Sequence, residues 1–238
     1  MSVYSNDEIK QAINDGGIVC MPYNETSVSQ ASLDFTLGYY FYKQEHLEDS
    51  RVYNPFDQKD VLRYFKGPLE AATHKDWCET HGYKLFKNIP ENHPIIVLRP
   101  GERILAHTHE FVGIRGNGAA EVKARSSWGR NGVAVCFDAG WVDPGYINRI
   151  TLEIYNLNQH ESVILPVGER IGQLVFHKTG KVEGDYSDGR SGVSGKYQTT
   201  NNLAELIANW TPDQMLPRAY KDIRKAPQII PGMREGIK

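Results

Sequence analysis

The chain has 238 residues, 40% of them hydrophobic and 24% charged, with a formal net charge of −2. These values suit one folded unit with appendages and exclude a polyanion-coating protein, so any bound phosphate must be held by a local basic cluster. Cys20, Cys78 and Cys136 are widely spaced and form no C-x-x-C pair, which signals neither a disulfide framework nor a zinc knuckle. The start of the chain carries no signal-peptide pattern, and no apolar run approaches membrane-spanning length. The expectation is a cytoplasmic protein with neither nucleic-acid nor membrane partners.

In chain order, Ser5-Asn6-Asp7-Glu8 has capping-box spacing, Ile9 and Ile13 follow at helical spacing, and Gly16-Gly17 is a stop, which predicts a helix from about Asn6 to Asn14. Residues 54–66 predict a second helix, and residues 70–93 show no organised pattern. From Pro94 to Lys178 short β-rich runs follow one another: 95–98, 103–107, 111–114, 133–137, 150–155, 163–166 and 171–176. Pro100-Gly101, Gly116-Asn117-Gly118, Asp143-Pro144-Gly145 and Pro166-Val167-Gly168 separate them. Strands at this spacing predict a mainly β fold, a sandwich, jelly roll or distorted barrel with a few short helices. The Gly/Ser-rich stretch 184–195 predicts a mobile arm, residues 202–210 a short helix, and residues 211–238 a peripheral tail. The organisation expected is one domain over residues 1–200 and a C-terminal extension over 201–238.

Three segments carry polar residues that a plain β fold does not need. Arg125-Ser126-Ser127-Trp128-Gly129-Arg130 offers guanidinium groups for phosphate oxygens and short hydroxyl donors. Asp143-Pro144-Gly145 makes a tight turn in which Asp143 either caps its own backbone or accepts a sugar hydroxyl or a water. In Ile150–Tyr155, strict alternation puts Ile150, Leu152 and Ile154 on one face and Thr151, Glu153 and Tyr155 on the other. A carboxylate on that second face is a proton shuttle if the face lines a site, and merely solvated if it does not.

Together these segments resemble the dCTP deaminase branch of the dUTPase-like superfamily. Arg125-Ser126-Ser127-Trp128-Gly129-Arg130 is similar to the family's R-S-S-x-x-R. Trp141-Val142-Asp143-Pro144-Gly145 and Leu152-Glu153-Ile154-Tyr155-Asn156 are similar to its I-D-P-G and L-E-x-Y-N. Further matches are Ser32–Gly38, Pro166–Leu174 and Gly195-Lys196-Tyr197-Gln198. The resemblance implies a dUTPase-like β fold and zinc-independent hydrolytic deamination of dCTP to dUTP and ammonia. It implies Glu153 as proton carrier, Ser126 and the Ala139 carbonyl as holders of the attacking water, and Arg130 in support. Around the nucleotide it implies Arg125, Ser127, Trp128, Gly129, Asp143, Gln173, Tyr186 and Lys196, with backbone contacts from Thr151 and Leu152 to the pyrimidine. It also implies Mg²⁺ carried by the triphosphate, a lid over 184–195, and a homotrimer with sites between subunits.

The zinc route needs H-x-E and P-C-x-x-C. Here His107-Thr108-His109-Glu110 has no cysteine pair after it, so no protein metal site is expected. Two departures stand out. Thr200 occupies the place of the closing glutamine in K-Y-x-x-Q. Gly140-Trp141 stands where single-activity members tend to carry His-Arg, which makes a bifunctional enzyme giving dUMP and pyrophosphate the alternative reading. A dUTPase or a non-catalytic nucleotide sensor fits less well, because neither needs Glu153.

Overall fold

The structure is a computed structural model that describes residues 2–45, 52–137, 139–184, 186, 195–198 and 200–221. Helix α1 (Asn6–Asn14) has the complete reciprocal capping box of Ser5 and Glu8, so two otherwise orphaned N–H groups are satisfied at its start. Strands β1 (Ile18–Met21), β2 (Leu33–Thr36) and β3 (Tyr40–Gln44) follow, then α2 (Gln58–Tyr64), β4 (Phe65–Glu70), β5 (Ala72–Thr73) and α3 (His74–His81). The β-rich region holds β6 (Pro94–Leu98), β7 (Arg103–His107), β8 (Phe111–Ile114), β9 (Gly118–Ala124), the short α4 (Ser126–Arg130) and β10 (Val133–Ala134). It continues with β11 (Trp141–Val142), β12 (Ile147–Asn148), β13 (Thr151–Asn156), β14 (Val163–Pro166) and β15 (Arg170–Lys178), and α5 (Leu203–Asn209) is followed by two short 3-10 helices, Pro212–Met215 and Ala219–Lys221.

The fold is mainly β, as expected, and every strand pairing among the described residues is antiparallel. Among the described residues there are four small sheets, in the orders β1-β8-β12, β10-β13-β7-β3-β4, β11-β9-β15-β2 and β14-β6-β5. All four contribute to one buried cluster that includes Ile18, Phe35, Leu98, Ile104, Ile114, Val122, Leu152, Leu165 and Phe176. Each such side chain contributes roughly 1.5–3 kcal/mol on burial, which holds the sheets together without their closing into one barrel.

The region 70–93, unreadable in the sequence, contains β5 and α3. Helix α3 is capped by Thr73 and stopped by Gly82 in the left-handed conformation. The short helix expected over 202–210 is α5, and residues 211–221, expected to be peripheral, are packed against the fold. Leu206 packs with Val19, Phe111 and Ile147, and Met215 and Leu216 pack with Tyr42, Val61, Phe65 and Leu105. Most of the arm 184–195 and the tail beyond Lys221 lie outside the described residues. No helix among the described residues is long and apolar enough to cross a membrane.

Candidate active site

Strand β13 presents the site through its alternation. Leu152 and Ile154 are fully buried in the core, which turns Thr151, Glu153 and Tyr155 to the opposite face. On one edge β7 pairs with residues 151–155. On the other edge β10 reaches only Tyr155 and Asn156, so among the described residues the backbone from Thr151 to Ile154 has no strand partner there. This edge can offer main-chain donors and acceptors to a flat heterocycle, as the resemblance implies for Thr151 and Leu152.

Glu153 opens into a cleft of about 350 Å³ whose walls include Arg103, Ala139, Trp141, Asp143, Tyr146, Thr151, Tyr186 and Tyr197. A second hollow, lined by Phe137, Tyr155 and Leu157, shares Arg103, Ala139 and Glu153 with it. Burial pushes the Glu153 carboxyl above the usual carboxylate range, against the opposing pull of the Cys136 thiol and the Arg103 charge. The Cys136 thiol donates to Oε2 of Glu153 across 3.5 Å.

The Asp143-Pro144-Gly145 turn forms the rim. Tyr146 N–H donates to the Asp143 carbonyl, and Gly145 takes a φ of +84° that a side chain would disfavour. The Asp143 carboxylate does not cap its own turn. It accepts from the indole N–H of Trp141 at 3.0 Å, and Asp143 lines the cleft. Tyr186 N–H donates to the Pro144 carbonyl, and the Tyr186 ring meets Tyr146 edge-on at 4.9 Å. Burial pushes the Tyr186 phenol up to about 12, so it remains a neutral donor.

Behind the rim, Gln198 is buried. It accepts from Ile147 N–H at 2.6 Å and donates to the Gly145 carbonyl at 2.9 Å, which ties the Lys196–Gln198 motif to the turn. Thr200, in the position of the family glutamine, instead donates to Glu205.

The remaining predicted residues form a second cluster. Buried Asp34 on β2 receives Nη1 of Arg125 and, at 3.2 Å, Nη1 of Arg170. Gln173 accepts from Ser32 at 3.0 Å, and Trp128 donates its indole N–H to the Arg170 carbonyl at 3.0 Å. Ser126, Ser127, Gly129 and Arg130 are exposed on α4. None of the residues of this cluster lines the Glu153 cleft within one chain. Ala139, Asp143, Thr151, Glu153 and Tyr186 therefore share a cleft, Lys196 adjoins it through Tyr197, and Arg125–Arg130 with Gln173 stand apart.

Sequence reasoning passed over Arg103, Cys136, Tyr146, Met215 and Pro217. Arg103 was accessible, because it alternates on β7 in phase with the outward face of β13. His107 is a core residue, with Nε2 accepting from Tyr40 N–H and Nδ1 donating to the Thr108 carbonyl. Among the described residues no group of three or more His, Cys, Asp or Glu side chains is disposed to hold a metal ion.

The family described as dCTP deaminase-like matches residues 3–179. A protein of Methanobrevibacter smithii named dCTP deaminase, dUMP-forming, is 33% identical over 177 residues, covering 74% of this chain and 80% of its own. A protein of the same name from Nanoarchaeum equitans is 31% identical over 192 residues, covering 80% and 89%. The 2'-deoxycytidine 5'-triphosphate deaminase of Agrobacterium tumefaciens superposes with a TM-score of 0.50 at 17% identity, over 74% of this chain and 47% of that one, and so bears on the fold alone. The chain belongs to the dCTP deaminase-like family.

Proposed function

We propose that this protein converts dCTP to dUMP, ammonia and pyrophosphate, deaminating the base and cleaving the triphosphate in one cleft. The observation that carries this reading is the pair of carboxylates on that cleft, Glu153 desolvated at its floor and Asp143 exposed at its rim. The sequence alone favours dUTP as the end product. The relatives named dUMP-forming, together with Gly140-Trp141, favour the bifunctional reading instead.

In the first step a water adds to C4 of the cytosine while Glu153 takes its proton. Glu153 passes that proton to N3, then takes the proton of the new C4 hydroxyl and delivers it to the amine, so that the C4 carbonyl forms as ammonia departs. A carboxyl whose burial raises its affinity for the proton suits both halves of this exchange. In the second step a water oriented by Asp143 attacks the α-phosphorus, the bond to the bridging oxygen breaks, and pyrophosphate leaves. Tyr186 and Lys196 hold the sugar and phosphates from the same chain.

Arg125, Ser126, Ser127, Trp128, Gly129, Arg130 and Gln173 complete the site from a neighbouring subunit of a homotrimer. This accounts for the exposure of Ser126, Ser127, Gly129 and Arg130 and for the absence of all seven residues from the cleft lining within one chain. The donor set fits Mg²⁺ borne on phosphate oxygens and water, with Asp143 the nearby carboxylate and no protein cage required. Such an ion supplies charge neutralisation to the triphosphate.

The test is Glu153→Gln in the full-length protein. The reading expects dCTP binding to persist while ammonia release falls by about 10²–10⁴-fold. Ammonia release at the wild-type rate would refute it.

A further inference from the structure

The outward face of the β13-β7-β3 sheet is divided in two. Thr151, Glu153 and Arg103 line the cleft, Tyr42 packs with Met215 and Leu216, and Leu105 stands at the boundary, lining the cleft and packing in that same cluster. Met215 and Pro217 also form one wall of the cleft itself. They lie beyond residues 3–179, where the family match ends.

The same segment grips the Lys196–Gln198 motif. Arg218 donates from Nη1 to the Lys196 carbonyl at 2.8 Å, and its backbone N–H donates to the Tyr197 hydroxyl at 3.1 Å. Its guanidinium lies 5.5 Å from the centre of the Tyr197 ring, with its side chain only 15% exposed. Asn148 bridges the two segments, donating to the Tyr197 carbonyl and to Gln214, each at 3.1 Å. On the other side Gln198 ties the motif to the Asp143 turn. The motif is thus clamped between the cleft rim and the C-terminal segment.

We propose that residues 203–221 are a strap that completes the nucleotide cleft, with Arg218 as the positioning residue for Lys196. Arg218 does not touch the nucleotide. It fixes the backbone from which the Lys196 ammonium reaches the triphosphate, so that less ordering remains to be done on binding. This inference rests on the proposed dCTP site.

The test uses full-length protein carrying Glu153→Gln, so that nothing turns over, and measures binding of dCTP with Mg²⁺ by titration calorimetry. Arg218→Met keeps the aliphatic stem and removes the donors, and circular dichroism checks its fold. The expected result is affinity about tenfold weaker, recovered in large part by Arg218→Lys. Lys196→Ala should weaken binding as well, and the double variant should bind no worse than Lys196→Ala alone, because both changes remove one interaction. Unchanged affinity in a folded Arg218→Met protein, or losses that multiply in the double variant, would overturn the proposal. Failure of the Glu153→Gln parent to bind dCTP would overturn the nucleotide site and the strap together.

Discussion

The Cys136 thiol donates to the Glu153 carboxylate across 3.5 Å, and the Arg103 charge acts on the same carboxylate. Burial raises the Glu153 proton affinity and this bond opposes it. In the proposed mechanism Glu153 must be ionised to take a proton from water, so activity should fall as pH drops through its raised value. The acidic limb of kcat/KM therefore lies above the ordinary carboxylate range. Cys136→Ala removes a lowering influence and should move that limb to still higher pH, and Cys136→Ser should hold it near the wild-type position. A pH–rate profile checks this, and a limb that moves down in Cys136→Ala contradicts it.

The same burial bears on stability. For Glu153 the folded-state value lies above the unfolded one, so the stability linked to its neutral form is present at low pH and lost as pH rises through the folded value. Glu153→Gln, neutral at every pH, should melt higher than wild type at pH 8, and the gap should close below about pH 4. Thermal scans at the two pH values decide it.

Asp143 is held by the Trp141 indole at 3.0 Å and faces the cleft. Asp143→Asn keeps the shape and loses the base, so pyrophosphate release should slow by about 10²-fold or more while deamination continues. The signature is dUTP accumulating from dCTP. Pyrophosphate release at the wild-type rate in this variant would remove Asp143 from the second step.

Met215 is 4% exposed within its apolar cluster. Met215→Ala should cost about 2–5 kcal/mol by leaving a cavity, read by chemical denaturation. A change under about 0.5 kcal/mol, ordinary for a surface substitution, would mean that the segment does not dock as described.

His107 links the fold to acid sensitivity. Burial lowers its value from 6.5 to about 4. Here the folded-state value lies below the unfolded one, so about 3 kcal/mol of stability is present above pH 6.5 and is lost as pH falls through 4. NMR of the imidazole should show a neutral ring at pH 5.5, and a ring already charged there refutes the assignment.

Much of this was written in local sequence. Ser5 and Glu8 fixed the start of α1, and the turn residues around 100, 116, 144 and 167 fixed the ends of the neighbouring strands. The alternation in 150–155 identified both the buried face and the face bearing Glu153. Strand β9 escaped notice because Gly118-Ala119-Ala120 has no intrinsic strand signal, and it is a strand only because β11 and β15 flank it. Helix α4 is five residues long, too short to show a period. The docking of Met215, Leu216 and Arg218 depends on the sheet face they cover, which no local pattern reveals. The separation of Arg125–Arg130 from Glu153 likewise follows from topology.

The most direct test of the central claim is a time course of the full-length protein with dCTP and Mg²⁺, resolved by anion-exchange chromatography with a parallel pyrophosphate assay. The account predicts dUMP and pyrophosphate in equal amounts, with no build-up of dUTP. Accumulating dUTP without pyrophosphate, or unchanged dCTP, would contradict it.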